Sequence, residues 1–214
     1  MCGIAGFIDA SLNHDEKSIV LENMLEKIAH RGPDARGKWY HESVALGQNR
    51  LSIIDLSEDG NQPMHYQSAS IVFNGEIYNY LEVREELKSK GYQFKTGSDT
   101  EVILELFAQK GAGSLASLNG MFAFAIYNRT TGELFIARDH FGIKPLFYTQ
   151  INGAFAFSSE LKTLVHVPGF NKTINPKSLV SCLNYIWISG NESMFKGCYK
   201  LPPAHYISFN KTTG

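Results

Sequence analysis

A chain of 214 residues with 43% hydrophobic and 19% charged residues has the composition of one sizeable globular domain, or two small ones, and not of a disordered segment. The formal net charge is -1, with Lys and Arg scattered along the chain, so there is no electrostatic footprint for nucleic acid or an anionic membrane. Three widely spaced cysteines (Cys2, Cys182, Cys198), no Cys-x-x-Cys and no His-x-x-x-His argue against a secreted disulfide framework and against a metal site.

The chain opens without a basic stretch leading into an apolar leader, and no apolar run reaches membrane-spanning length, so a reducing cytoplasm is the expected setting. Residues 3–9 (GIAGFID) are apolar and β-prone, which predicts a buried strand almost at the first residue; termini normally fray. Residues 16–30 carry Ile19, Val20, Met24, Leu25 and Ile28 at helical spacing, and Gly32-Pro33 breaks that helix. Strands are expected over 37–41, 44–50 and 70–75, the last ending at Asn74-Gly75. Helices follow over 80–90 and 100–110, the second opened by Ser98-Asp99-Thr100 with Glu101 in its first turn.

Residues 121–127 alternate Phe122, Phe124 and Ile126 with smaller side chains and are joined through NRTTGE to 134–137, a hairpin pattern. A second hairpin is expected from 146–150 and 154–157 around Asn152-Gly153. Short helices near 160–165 and 176–185 precede a Pro-interrupted stretch, 195–209, that predicts one final strand and then a linker. No repeat or low-complexity tract interrupts this order. Hairpin-linked strands at both ends with paired helices between them predict an α+β domain of antiparallel sheets with helices packed outside.

Cys2 is the first residue with chemical promise. Removal of the initiator methionine, usual before a residue this small, would give Cys2 both a thiol and a free α-amine, a nucleophile with its own base. Taken alone, it reads better as a small apolar residue starting a strand. Asn74-Gly75 offers a side-chain amide and a backbone N–H that can converge on one oxygen, although the same pair is a common tight turn. Arg50 and Asp99 supply the opposite charges that an amino-acid zwitterion requires; Asp99 alone also reads as a helix cap.

Eight ordered blocks, MCGIAGF, RGPDARG, LGQNRLSIIDLS, FNGEIYNY, SDTEVIL, NGMFAFAIYN, RDHFGIKPLFY and FSSELKTL, resemble the class II glutamine amidotransferases from Cys2 to about Phe209. Within that class they are similar to the glutaminase domain of the glutamine-hydrolysing asparagine synthetases. The resemblance implies a four-layer αββα N-terminal-nucleophile hydrolase sandwich over residues 2–209, with 210–214 beginning a linker to a synthetase domain. It implies Cys2 as nucleophile, its α-amine as base, and Asn74 with the Gly75 N–H as oxyanion hole. Arg50 would hold the glutamine α-carboxylate, and Asp99, with Glu76 and the backbone near Ile53, the α-ammonium. The reaction would pass through a γ-glutamyl thioester and release ammonia. No cofactor is implied for this half: ATP and Mg are expected only in a C-terminal ATP-pyrophosphatase synthetase domain, whose SGGxDS loop is absent here. A homodimer is compatible with the class.

Two rivals accompany this reading. One is a cysteine hydrolase using a Cys-His pair, with His30, His65 and His140 near the matched blocks. The other is a non-catalytic glutamine-binding or interface module of the same fold.

Overall fold

The computed structural model describes residues 1–210. In chain order its main elements are β1 (Gly3–Ile8), α1 (His14–Lys27), β2 (Ala35–His41), β3 (Val44–Arg50), β4 (Met64–Tyr66), β5 (Ala69–Ile77), α2 (Tyr80–Ser89) and α3 (Asp99–Lys110). There follow β6 (Gly120–Asn128), β7 (Glu133–Arg138), β8 (Phe147–Ile151), β9 (Ala154–Ser158), α4 (Leu161–Leu164), α5 (Pro176–Tyr185), β10 (Cys198–Lys200) and β11 (Tyr206–Asn210). The strands form two wholly antiparallel sheets, ordered β10-β8-β9-β1-β3-β2 and β11-β7-β6-β5-β4.

Strand alternation divides the apolar residues among three cores. On β1, Ala5 and Phe7 pack against Leu21, Met24 and Leu25 of α1. Ile4 and Ile8 point the other way, into a core with Val72, Ala123, Ala125 and Ile136 of the second sheet. On β5, Ile71, Phe73 and Ile77 meet Val102, Ile103 and Leu106 of α3. The layers are therefore helix, sheet, sheet and helix, the expected N-terminal-nucleophile hydrolase sandwich.

Local signals account for the element boundaries. Asn13 accepts the Glu16 N–H at 3.0 Å while Glu16 Oε2 accepts the Asn13 N–H at 2.9 Å, a capping box that starts α1 two residues before the expected position. The expected helical stretch to 30 instead ends at Lys27 and tightens into a 3-10 turn over Ala29–Arg31. β5 runs past Asn74-Gly75 to Ile77, so that pair lies inside a strand and is not a turn. β4 has only three residues, too few to register as an alternating pattern. The Pro-interrupted end forms two strands in different sheets, where one was expected, because Leu201-Pro202-Pro203 breaks the ladder between β10 and β11. The linker expected over 210–214 lies outside the described residues except for Asn210, which closes β11. Among the described residues no helix is long and apolar enough to cross a membrane.

Candidate active site

Parity decides where the polar residues of the central strands go. Cys2 shares the inward phase of Ile4 and Ile8, Arg50 and Gln48 that of Leu46 and Val44, and Asn74 and Glu76 that of Val72. Gly3 pairs with Asn49, so the next positions outward are Cys2 and Arg50; Glu76 pairs with Met121 in the opposite sheet. The apolar core between the sheets thus gives way at one end to a polar cleft. Cys2, Arg50, Ile53, Asn74, Gly75, Glu76 and Asp99 all line it. All seven residues that the resemblance singled out are brought to one place. Among the described residues no histidine lines this cleft, His30 instead meeting Glu160 at 2.8 Å and His65 meeting Ser70 Oγ at 2.8 Å. Cys198 is buried and its thiol is pushed up to about 11 by desolvation, a poor nucleophile by comparison.

The nucleophile candidate is held from both sides. Its Sγ lies 3.4 Å from the Leu51 N–H and 3.5 Å from the Leu51 carbonyl. Its own carbonyl accepts Arg31 Nε–H at 3.0 Å, and Arg31 Nη1 pairs with Glu160 at 3.0 Å. This clamp explains why a chain end stays ordered inside a sheet.

Asn74 is 1% exposed and its Nδ2 has no hydrogen-bond partner among the described residues. A buried donor left unpaired costs roughly 1–3 kcal/mol, and on the wall of this cleft it is free to meet an acceptor. Gly75 is dictated by close approach of the neighbouring strand: a Cβ there would sit 2.3 Å from the Met121 carbonyl oxygen and 2.8 Å from Phe122 Cα. Gly75→Ala is expected to cost about 1–3 kcal/mol through forced separation of β5 and β6, read as a lowered urea midpoint. An unchanged midpoint would show that the strands part freely.

Arg50 is buried, and its guanidinium donates to Ser57 O at 2.7 Å, Asn61 Oδ1 at 2.9 Å and Asp55 O. These bonds draw the 51–61 segment across the cleft and place Ile53 on its exposed rim. Gly60 permits this, since a Cβ would lie 2.3 Å from Arg50 Nη2. Ser98, not Asp99, caps α3: Ser98 Oγ accepts the Thr100 N–H at 3.1 Å. Asp99 is released for the cleft, with Oδ2 accepting the Ile77 N–H at 3.0 Å. Burial raises its carboxyl from 3.8 to about 6, Glu76 adds to the rise, and the N–H groups of Ile77, Thr100 and Asp99 itself oppose it.

Gln48, Gln62 and Lys144 also line the cleft and do not emerge from the sequence. Gln48 Nε2 donates to Phe73 O at 2.7 Å, tying the two sheets together beneath Asn74. Its inward parity with Arg50 is the signal that would have found it. Among the described residues, no group of three or more His, Cys, Asp or Glu is gathered in a way that could hold a metal ion.

A thiol, an unpaired amide donor, a guanidinium and a carboxylate around one small cleft are the elements needed to hold a zwitterion and attack its side chain. The family described as a glutamine amidotransferase domain matches residues 1–213. Glutamine-hydrolyzing asparagine synthetase 1 of Bacillus subtilis (strain 168) is 46% identical over 170 residues, covering 77% of this chain and 27% of the relative. Glutamine-hydrolyzing asparagine synthetase 3 of the same organism is 35% identical over 217 residues, covering 99% of this chain and 35% of the relative. The chain therefore spans 27% to 35% of the length of these relatives. Among solved structures, the glutamine phosphoribosylpyrophosphate amidotransferase from B. subtilis matches the fold with a TM-score of 0.66 at 23% identity, over 78% of this chain and 43% of that one. This chain belongs to the glutamine amidotransferase domain family, in its class II, asparagine synthetase-like branch.

Proposed function

We propose that residues 2–209 form a glutaminase that releases ammonia from glutamine through a Cys2 γ-glutamyl thioester. The observation that carries the reading is the unpaired, buried Asn74 amide in the same cleft as Cys2, between Arg50 and Asp99. With Met1 removed, the Cys2 amine takes the thiol proton as sulfur attacks the side-chain carbonyl carbon. Asn74 Nδ2 and the Gly75 N–H stabilise the oxyanion. The C–N bond then breaks, the amine returns the proton, and ammonia leaves. Water attacks the thioester next, and the C–S bond breaks to release glutamate. Arg50 binds the α-carboxylate, and Asp99, with Glu76 and the backbone near Ile53, the α-ammonium.

The glutaminase half uses no cofactor in this scheme. The ammonia would go to an ATP- and Mg-dependent amidating domain in a longer cytoplasmic protein, because the named relatives are glutamine-hydrolyzing synthetases about three times this length. The test is glutamate release from glutamine by the Met1-free chain, together with stoichiometric labelling of Cys2 by a glutamine-mimicking electrophile. Glutamine should block the label. An unlabelled, folded, Met1-free chain would overturn the reading in favour of a non-catalytic binding module.

A pH prediction follows from Asp99. Its raised carboxyl is protonated below about 6, and a neutral Asp99 offers the substrate ammonium no countercharge. KM for glutamine is expected to rise about tenfold per pH unit below that value, with proton release on binding. The same shift means that ionised Asp99 destabilises the empty protein, with stability lost as pH rises from about 4 through about 6. Asp99→Asn should therefore raise stability at pH 7, by up to about 3 kcal/mol, while abolishing glutamine binding. Calorimetry in buffers of different ionisation enthalpy, with thermal melts of the variant, checks both signs.

A further inference from the structure

The segment after β7 brings a second cation into the cleft. Asp139 is fully buried, and its carboxylate accepts N–H groups from Phe122 at 3.1 Å, Phe141 at 3.1 Å, Ile143 at 2.9 Å and Lys144 at 3.0 Å. Arg138 donates to Lys144 O at 2.7 Å, Leu201 O at 2.6 Å and Gly142 O at 2.5 Å. Both backbone polar groups of Lys144 are thus held, and the nearby carboxylate is taken up by amides. The Lys144 side chain enters the cleft with the residue 5% exposed. Its Nζ lies 3.3 Å from Met1 Sδ and forms no salt bridge among the described residues.

A thioether is a weak acceptor, and a buried ammonium without a counterion is costly. A lysine that served only the packing would point its ammonium to water. This one has its backbone held at both ends and its ammonium against the side chain of Met1, the residue whose removal exposes the Cys2 amine, with Cys2 in the same cleft. We propose that Lys144 is a positioning residue that disfavours protonation of that amine and so keeps it a free base. The inference rests on the reading of Cys2 as the nucleophile.

The surrounding charges set the sign. Arg31, from the turn after α1, adds positive charge at the Cys2 carbonyl, 3.0 Å away, partly offset by its Glu160 partner at 3.0 Å. Glu76 from β5 opposes, and Asp139 does so while engaged with four amides. Arg50 and Asp99 stand further round the cleft with opposite charges. Burial, then Arg31, lowers the Lys144 ammonium below the usual lysine value, while Cys2, Glu76 and Asp139 pull it back up. A neighbouring cation favours the neutral form of an amine.

The experiment measures the amine directly, in a Met1-free Cys2→Ser background verified by mass. Competitive acetylation of the N-terminus with acetic anhydride is followed against pH. Removing the charge by Lys144→Met is expected to raise the midpoint by about 1 pH unit, and Lys144→Arg to restore it. In the Cys2 protein the acidic limb of kcat/KM should move up equally, about tenfold lower activity at a pH on that limb. An unchanged midpoint in folded Lys144→Met, or in Lys144→Gln should the first not fold, would overturn the proposal. So would a native-state amine midpoint, with Lys144 in place, no lower than that of the same chain in urea. Acetylation needs no glutamine turnover, so a chain that fails to hydrolyse glutamine sinks the glutaminase reading while this measurement still decides Lys144.

Discussion

Replacing Cys2 by serine is expected to lower glutamine hydrolysis by roughly 10⁴-fold or more, the scale on which loss of a nucleophile is felt. Affinity for glutamine should stay within about threefold, because Arg50 and Asp99 sit on other elements and their partners do not include Cys2. The thermal midpoint should also hold: the thiol contacts only the Leu51 backbone, at 3.4 and 3.5 Å, and both contacts suit a hydroxyl. Steady-state ammonia release and calorimetric glutamine binding separate these quantities. Residual turnover near the wild-type rate would remove Cys2 from the chemistry. A matched sample that retains Met1 should be inactive for another reason, since the Cys2 nitrogen is then a peptide amide with no basic lone pair.

Asn74→Ala is expected to reduce kcat by about 10²–10³-fold, or about 2.7–4 kcal/mol of barrier, with little change in KM. In the empty protein the Asn74 Nδ2 donor has no partner among the described residues, so its desolvation is already suffered on folding and no bond has to break when an oxyanion forms. A structural asparagine would behave differently: its loss would show first in stability, because its partners would be orphaned. Kinetics paired with urea unfolding distinguish the cases. A large fall in stability with kcat preserved would assign Asn74 to packing. The contrast with Gly75 is useful, since Gly75→Ala should register in stability because of the Met121 carbonyl 2.3 Å from its added Cβ.

In the sequence, hairpin-linked strands at both ends with paired helices between them carried the α+β class, and the resemblance of the eight blocks implied the four layers. Parity along 3–8, 44–50 and 71–77 separates two sets of side chains, but both faces are largely buried, so packing decides which set faces the other sheet. Once two such strands are paired, Cys2 and Arg50 must fall at the same end of the same face. The start of α5 was legible, Asn175 before Pro176 capping it with Oδ1 accepting the Lys177 N–H at 3.1 Å, whereas the Asn13–Glu16 capping box of α1 went unread and set its start two residues early. Helix boundaries were misjudged where two cap candidates stand side by side. Ser98 and Asp99 are chemically equivalent as caps, and only the approach of the Ile77 N–H to Asp99 Oδ2 decides between them.

What the chain order determined, then, is the fold class and the residue types able to bind an amino acid. The tertiary structure alone decided which of those groups are unpaired, how far Asp99 is from its ordinary acidity, and which distant residues join them. Gln48 and Lys144 are cleft residues only because β3 crosses Phe73 of the other sheet and the loop after β7 folds back over Met1. The physical reason is that side-chain direction is a local property of the backbone, whereas desolvation and hydrogen-bond vacancy depend on segments far apart in the chain.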